Sequence, residues 1–420
     1  MTVLRSVRRR VRLRTRLRRA RTAWRDRTPR RLPEWPQPPP PRATGASADP
    51  VRVDAALANP RGRQRYGPRL PTGHLHLAGG GWEIRQGATR VVAGRPGDPL
   101  DPAQAAVLAR LGTVICPPDP PPAPPDPPAY AHLLVTLAMT GVVVHAPHLP
   151  AAVSARLAPD LAGLIRAPLP GRAPDAWELR SVRQRRAALR HHAAGLARPS
   201  VSALLVSRRP HRVAPAVAAL AAQTYPDLEI VVCGHGCDLP ASLPADRAVR
   251  VRSVPAGRTL GEALAEAARA ATGALLTKVD DDDRYGPEHV WDLVLARHFA
   301  GGQLTGKGAE FVHLAGKRVT VRRRMAAETP TDTVAGGTIL IGREDLAAVG
   351  GWPPVPRSVD RALLDRVLAG GGAVYRTHPF GFIYTRHGEG HTWDAEPGYF
   401  LHDARRRWRG LPPPEQVEVA

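Results

Sequence analysis

Between residues 200 and 300, short apolar runs alternate with helix-patterned segments, and the last of those runs ends in four consecutive aspartates. That order leaves few folds open. Val201 to Val206, Leu228 to Cys233, Val249 to Val254 and residues 274 to 279 read as strands. Helices are expected at Val213 to Gln223, Leu260 to Ala271 and Pro287 to Ala300. Such alternation builds a mainly parallel sheet covered by helices, and ligands bind beyond the carboxyl ends of its strands. Asp280 to Asp283 stand at one of those ends, with Arg284 and Tyr285 directly after them. Four like charges in a row cost electrostatic free energy unless a cation sits among them. On an extended chain Asp280 and Asp282 would point to one side, Asp281 and Asp283 to the other. Paired carboxylates suit Mg2+ or Mn2+, with a substrate phosphate completing the shell.

Further on, Ala309 to Leu314 and Val319 to Arg323 read as a strand pair, and helices are expected at Arg343 to Val349 and Val359 to Ala369. Strands at Ala373 to Arg376 and Gly381 to Arg386 follow. The 420 residues suffice for two domains and a substantial core. Residues 1–45 form an arginine-rich arm and, at Pro33 to Arg42, a proline-rich linker. Residues 46–175 are expected as a smaller α/β region with weak patterns, split by the proline-rich stretch Cys116 to Pro128. Its role is not readable. Residues 176–199 are expected as a charged linker helix, 200–398 as the main domain and 399–420 as a tail.

The net charge is +23, but 57 of the 60 basic residues are arginine, with only Lys278, Lys307 and Lys317 as lysines. This reflects composition bias as much as site chemistry. Residues 1–31 hold fourteen arginines against Asp26 alone. Leu4, Val7, Val11 and Leu17 recur there at helical spacing, which suits either an amphipathic helix on an anionic membrane surface or a plain basic tail. The arm lacks interleaved aromatics apart from Trp24, so no nucleic-acid partner is expected. Three cysteines make no disulfide framework, and Cys233-Gly-His-Gly-Cys237 offers too few ligands for zinc. No apolar run is long enough to span a bilayer and no secretory leader is expected. The expected setting is cytoplasmic, at the inner face of the plasma membrane if the arm binds lipid.

Several ordered motifs now carry a resemblance. Pro199-Ser-Val-Ser-Ala-Leu-Leu-Val-Ser-Arg-Arg-Pro210 and Ala222-Gln-Thr-Tyr-Pro-Asp-Leu-Glu-Ile-Val-Val232 are similar to the opening strands of glycosyltransferase family 2. Asp280-Asp-Asp282 falls where that family has its D-x-D motif, and Gly336-Gly-Thr338 resembles its substrate loop. Val359-Asp360 stands where the family has Glu-Asp, and Arg386-His-Gly-Glu-Gly-His-Thr-Trp393 resembles its closing segment. Residues 200 to about 395 therefore resemble a GT-A domain of the inverting type. Two positions depart from the pattern. The family's D-D-G-S turn is here Cys233-Gly-His-Gly236, so the nucleobase contact must differ, and the Glu before Asp360 is Val359.

The resemblance implies an α/β fold with a GT-A type mainly parallel nucleotide-binding sheet, and a metal-dependent, inverting transfer of sugar from a nucleoside diphosphate sugar to a hydroxyl of a glycan, lipid or polymer. Asp360 would be the catalytic base. Asp280 and Asp282 would hold Mn2+ or Mg2+, with His387 or His391 either completing the shell or contacting the diphosphate. Asp283 would be a metal partner or a helix cap. Donor contacts would come from Ser207, Arg208, His235, Lys278, Asp280, Asp281, Gly336, Gly337, Thr338 and Arg386. Lys278 faces either the phosphates or the opposite side of its strand, and Trp352 either stacks on an acceptor sugar or fills the core. The alternative is a polyanion- or nucleic-acid-binding protein whose GT-A-like domain is catalytically inactive.

Overall fold

The computed structural model describes residues 50–55, 70–78, 80–95, 98, 100–117, 126–244, 246–387 and 397–419. The basic arm, the proline-rich linker and His391 lie outside them. The chain divides into two compact units, one of residues 37–197 with 298–300, the other of residues 1–36, 198–297 and 301–420. Among the described residues no helix is long and apolar enough to cross a membrane.

In the first unit β1 (Thr72–Ala78), β2 (Gly81–Gln86) and β3 (Thr89–Gly94) form an antiparallel meander. β4 (Thr113–Ile115) and β5 (Val143–His145) extend it in parallel, giving the order β3-β2-β1-β4-β5. Helices α1 (Pro102–Leu108), α2 (Pro127–Met139), α3 (Ala151–Ser154), α4 (Pro159–Arg166) and α5 (Pro174–His192) accompany it. α2 is apolar nearly all round and buried, as such a helix must be. The expected linker helix belongs to this unit. Gln184 of α5 accepts from the Val144 amide (2.8 Å) and donates to its carbonyl (2.7 Å), so a side chain satisfies the free edge of β5. Its charged sequence hid that packing, since Glu178, Gln184 and Arg185 are all buried.

The second unit opens with β6 (Val201–Ser207), α6 (Pro210–Ala221), β7 (Leu228–His235), β8 (Val249–Val254), α7 (Leu260–Ala270) and β9 (Leu275–Val279). β10 (Arg284–Tyr285), α8 (His289–Ala300), β11 (Leu304–Gly306), β12 (Phe311–Leu314) and β13 (Val319–Arg323) follow. Then come β14 (Thr329–Pro330), β15 (Leu340–Gly342), α9 (Arg343–Ala348), α10 (Val359–Ala369), β16 (Val374–Arg376) and β17 (Phe382–Arg386). The chain closes through α11 (Pro397–His402), β18 (Ala404–Arg409) and α12 (Pro414–Val417).

Eight strands make one sheet in the order β14-β16-β11-β15-β9-β6-β7-β8. β9, β6, β7 and β8 are parallel, as the alternation predicts. β15 enters antiparallel between β9 and β11, so the whole sheet is mixed. A core of Leu204, Val231, Leu264, Leu276 and Ile341 packs it against α7 and α10.

A second sheet runs β10-β17-β12-β13-β18. It corrects the expected tail. β18 pairs antiparallel with β13, Phe400 is fully buried against Val312, Leu314 and Val321, and the Gly381 amide bonds the Val417 carbonyl at 2.8 Å. Ala-Arg-Arg-Arg-Trp-Arg carries no apolar alternation because this edge strand stacks Arg406 on Trp408 (4.6 Å) and pairs Arg405 with Glu310 (2.8 Å).

Candidate functional site

The aspartates follow β9 at the carboxyl end of the parallel strands. They do not continue it: residues 281 and 282 are a turn, and β10 starts only at Arg284. The expected strand alternation therefore fails, and the carboxylates sort differently. Asp281 and Asp282 share the Arg209 guanidinium, whose Nη2 bonds Asp281 Oδ1 and lies 2.9 Å from Asp282 Oδ2 while Nε reaches Asp281 Oδ2 at 3.2 Å. Asp280 and Asp283 lie on the side of the glycine loop. A Cβ on Gly337 would stand 2.9 Å from Asp280 Oδ2 and 3.0 Å from Asp283 Oδ2. One on Gly336 would collide with the carboxylate of Asp360, 1.9 Å from Oδ2. Only glycine lets this loop approach three carboxylates so closely.

Lys278 joins Asp280 to Asp360. Its Nζ lies 2.5 Å from Asp280 Oδ1 and 3.4 Å from Asp360 Oδ1, and the side chain is 4% exposed. It faces carboxylates rather than open solvent. Burial works against its charge, yet Asp280 and Asp360 outweigh burial and lift its pKa above the usual lysine range. Desolvation raises Asp280, with Lys278 opposing and Asp360 reinforcing the rise. Burial raises Asp283 well above the carboxylate range, helped by Asp280 and Asp282, although the Thr385 amide donates to its Oδ1 at 2.8 Å. Asp283 Oδ2 is buried with no hydrogen-bond donor, and Asp360 Oδ1 has the Lys278 ammonium at 3.4 Å as an ion-pair partner without a hydrogen bond. This is the pattern of a site built for a further cation or ligand.

Tyr285, which the sequence reading passed over, fixes the turn. Its hydroxyl accepts from the Asp280 amide and donates to the Gly337 carbonyl, both at 2.9 Å. Gln223 secures the exit of the turn, donating to the Gly286 carbonyl (2.8 Å) and accepting from the Val290 amide (3.1 Å). Tyr225 packs edge-on against Trp291 at 4.8 Å. The Gln-Thr-Tyr-Pro segment is thus a staple behind the acidic turn.

The other expected residues divide. Ser207 bonds Asp281 and the Arg209 amide, holding the turn. Arg208 donates to His235 Nδ1 (3.2 Å), whose Nε2 meets the Arg258 carbonyl (2.7 Å), and burial lowers the pKa of this imidazole. His235 belongs to the segment that departs from the family pattern, and Arg208 reaches it from just after β6. Thr338 is fully buried and its hydroxyl serves the Ala335 carbonyl and Lys307 amide, each at 2.8 Å, so it shapes the loop instead of facing a donor. Trp352 is 4% exposed within the apolar core, which excludes it as a stacking platform for an acceptor. Arg386 ends β17 beside Thr385, with its guanidinium 5.7 Å from the Phe400 ring. His387 Nε2 meets Arg212 Nη1 at 3.1 Å, so it is turned to a cation. Among the described residues no three His, Cys, Asp or Glu side chains form a metal cage. The described residues therefore offer a hard cation one or two carboxylates, a set that fits if water or substrate oxygens supply the rest.

Residues 206–300 match the model of glycosyl transferase family 2, a span that contains the Gln-Thr-Tyr-Pro staple and the acidic turn. No curated protein matches the chain. Similar solved structures include the mannosyltransferase PcManGT from Pyrobaculum calidifontis in complex with GDP-Man and Mn2+, at 16% identity and TM-score 0.37, covering 46% of this chain and 59% of that one. Another is S. aureus TarS 1-349 in complex with UDP-GlcNAc, at 13% identity and TM-score 0.37, covering 48% of this chain and 64% of that one. The chain thus spans less than two thirds of either protein.

Proposed function

We propose, from the family 2 match of residues 206–300, that the second unit is a metal-dependent inverting glycosyltransferase with Asp360 as its base. The observation that carries this reading is the single lysine bridge from Asp280 to Asp360, residues 80 positions apart in sequence. It sets a carboxylate able to take an acceptor proton beside the acidic end of a nucleotide-binding sheet.

Charge counting supports the metal. Asp280 to Asp283 and Asp360 bring five carboxylates, against which Lys278 and Arg209 bring two cations, leaving a surplus of three negative charges. Burial raises the pKa of Asp283, which favours its neutral form and works against that surplus. A diphosphate approaching that surplus is repelled unless a divalent cation lies between. Asp282, with Asp280, would hold the cation, which when bound neutralises charge on the leaving diphosphate. Asp360 accepts the acceptor's hydroxyl proton as its oxygen bonds the anomeric carbon and the bond to the diphosphate breaks on the opposite face. Lys278 and the Gly336–Gly337 backbone fix the carboxylate for that step. The acceptor is a glycan, lipid or polymer hydroxyl, and residues 1–31 would bring the protein to an anionic membrane.

The test is a panel of nucleoside diphosphate sugars, screened for Mn2+-dependent thermal stabilisation of wild type and Asp282→Ala. Stabilisation lost in the variant and in EDTA supports the reading, as does a product of inverted anomeric configuration. Metal-independent binding that Asp282→Ala leaves intact would overturn it.

A further inference from the structure

We infer that Arg209 is a resident counter-ion of the acidic turn that competes with the divalent cation for Asp282, and so sets how tightly the cation is held before the donor arrives. The inference rests on the preceding reading. Arg209 follows β6 as the residue before α6, and from there its guanidinium reaches two successive carboxylates of the turn after β9. The contact to Asp281 is two-pronged, through Nε and Nη2, while the contact to Asp282 is single, through Nη2 alone. The two contacts are not equivalent. A planar fork grips one carboxylate firmly and a second only at an edge, so Asp282 is the partner that can be surrendered.

Solvent access points the same way. Asp281 is 3% exposed and also held by the Ser207 hydroxyl, while Asp282 is 13% exposed and Arg209 itself 36% exposed. Asp281 thus anchors the arginine, and Asp282, the more exposed of the two, is held by a single contact. Four carboxylates on one turn would repel each other in a cation-free protein. Arg209 and Lys278 divide that load, one on each side: Lys278 on Asp280 and Asp360, Arg209 on Asp281 and Asp282. Lys278 is enclosed, whereas the Arg209 side chain is about a third exposed. A guanidinium freed from Asp282 stays tethered through Asp281 at the edge of the site, where a diphosphate oxygen is its natural partner.

The experiment measures binding of Mn2+ alone by electron paramagnetic resonance, in wild type, Arg209→Gln, Arg209→Lys and Asp282→Asn. Arg209→Gln should bind Mn2+ about three- to tenfold more tightly than wild type, the gain from removing one partly exposed, charge-assisted competitor. Arg209→Lys, which keeps the charge without the fork, should fall between them. Equal or weaker Mn2+ binding by Arg209→Gln, with circular dichroism and melting like wild type, overturns the inference. So does tighter binding that Arg209→Lys shares in full, since charge would then not be the competitor. Asp282→Asn separates the two readings. If it still binds Mn2+ like wild type, the metal reading itself has failed; if it loses Mn2+ while Arg209→Gln is unchanged, only the role of Arg209 is refuted.

Discussion

Two lysines of the second unit, Lys278 and Lys307, are both almost wholly enclosed, and their surroundings differ in one respect. Lys307 Nζ lies 2.8 Å from Asp292 and also bonds the Phe380 carbonyl, with both side chains at most 1% exposed. His378 stands 3.3 Å from the same aspartate. One cation meets one carboxylate there, and a backbone oxygen accepts from the same ammonium. Lys278 meets Asp280 and Asp360 at once, beside Asp283, whose Oδ2 has no donor. Equal burial thus accompanies balanced charge in one place and an acidic surplus in the other. A balanced buried pair is a fixture of the fold, because desolvation is offset within the protein. A surplus is tolerable only where something positive joins it.

The contrast can be broken most sharply at Asp360. Asp360→Asn removes one charge of the surplus without changing its shape, so the fold and donor affinity should hold within a few-fold. Turnover should fall by about 100- to 10,000-fold, because a general base is lost in the chemical step. Near wild-type turnover in steady-state kinetics would show that the surplus carboxylate is not the base.

Next in size is removal of the lysines. Lys307→Met strands Asp292 in the core and should cost about 3–5 kcal/mol in denaturant unfolding, with or without Mn2+. Lys278→Met should also destabilise, but millimolar Mn2+ should restore part of the loss, since a ligand that binds only the native state stabilises it. If Mn2+ rescues both variants alike, the two centres do not differ as described.

The smallest effect is on pH dependence. Burial, with Lys307 adding to it, holds His289 well below the usual histidine range, and burial likewise lowers His378 against the pull of Asp292. Their folded pKa values are depressed below the ordinary 6.5. The stability they contribute is therefore present above about pH 6.5 and is lost as pH falls toward the folded values. Melting temperatures measured from pH 7.5 down to 5 should decline, and His289→Phe should flatten that decline. An unchanged slope would remove the balanced centre's histidines from the account.

The parallel half of the sheet was legible because each of its strands is an apolar run bounded by turn residues. β6 to β9 begin within one residue and end within two of where the sequence places them. β15 was not, since Leu340-Ile-Gly342 is only three residues long and is placed by pairing with β9 and β11. β18 was hidden by its arginines. In the site, Asp280 to Asp283 stood out as an acidic run at a strand end, whereas Asp360, Gly336 and Gly337 were named only through the resemblance to family 2. Their grouping could not be read, since a turn replaces the strand alternation at residues 281 and 282. Arg209 gave no signal in a chain of 57 arginines. For Trp352 the sequence left a stacking platform and a core position equally open, and its packing places it in the core.

The hydroxyl of Tyr285 has a mechanical consequence. Bonded at once to the amide of Asp280 and the carbonyl of Gly337, it pins the acidic turn to the loop that abuts Asp360. Neither side can swing without undoing the same pin. In the proposed two-substrate site, a molecule pressing on the glycine loop would therefore also load the backbone of Asp280 through this bridge.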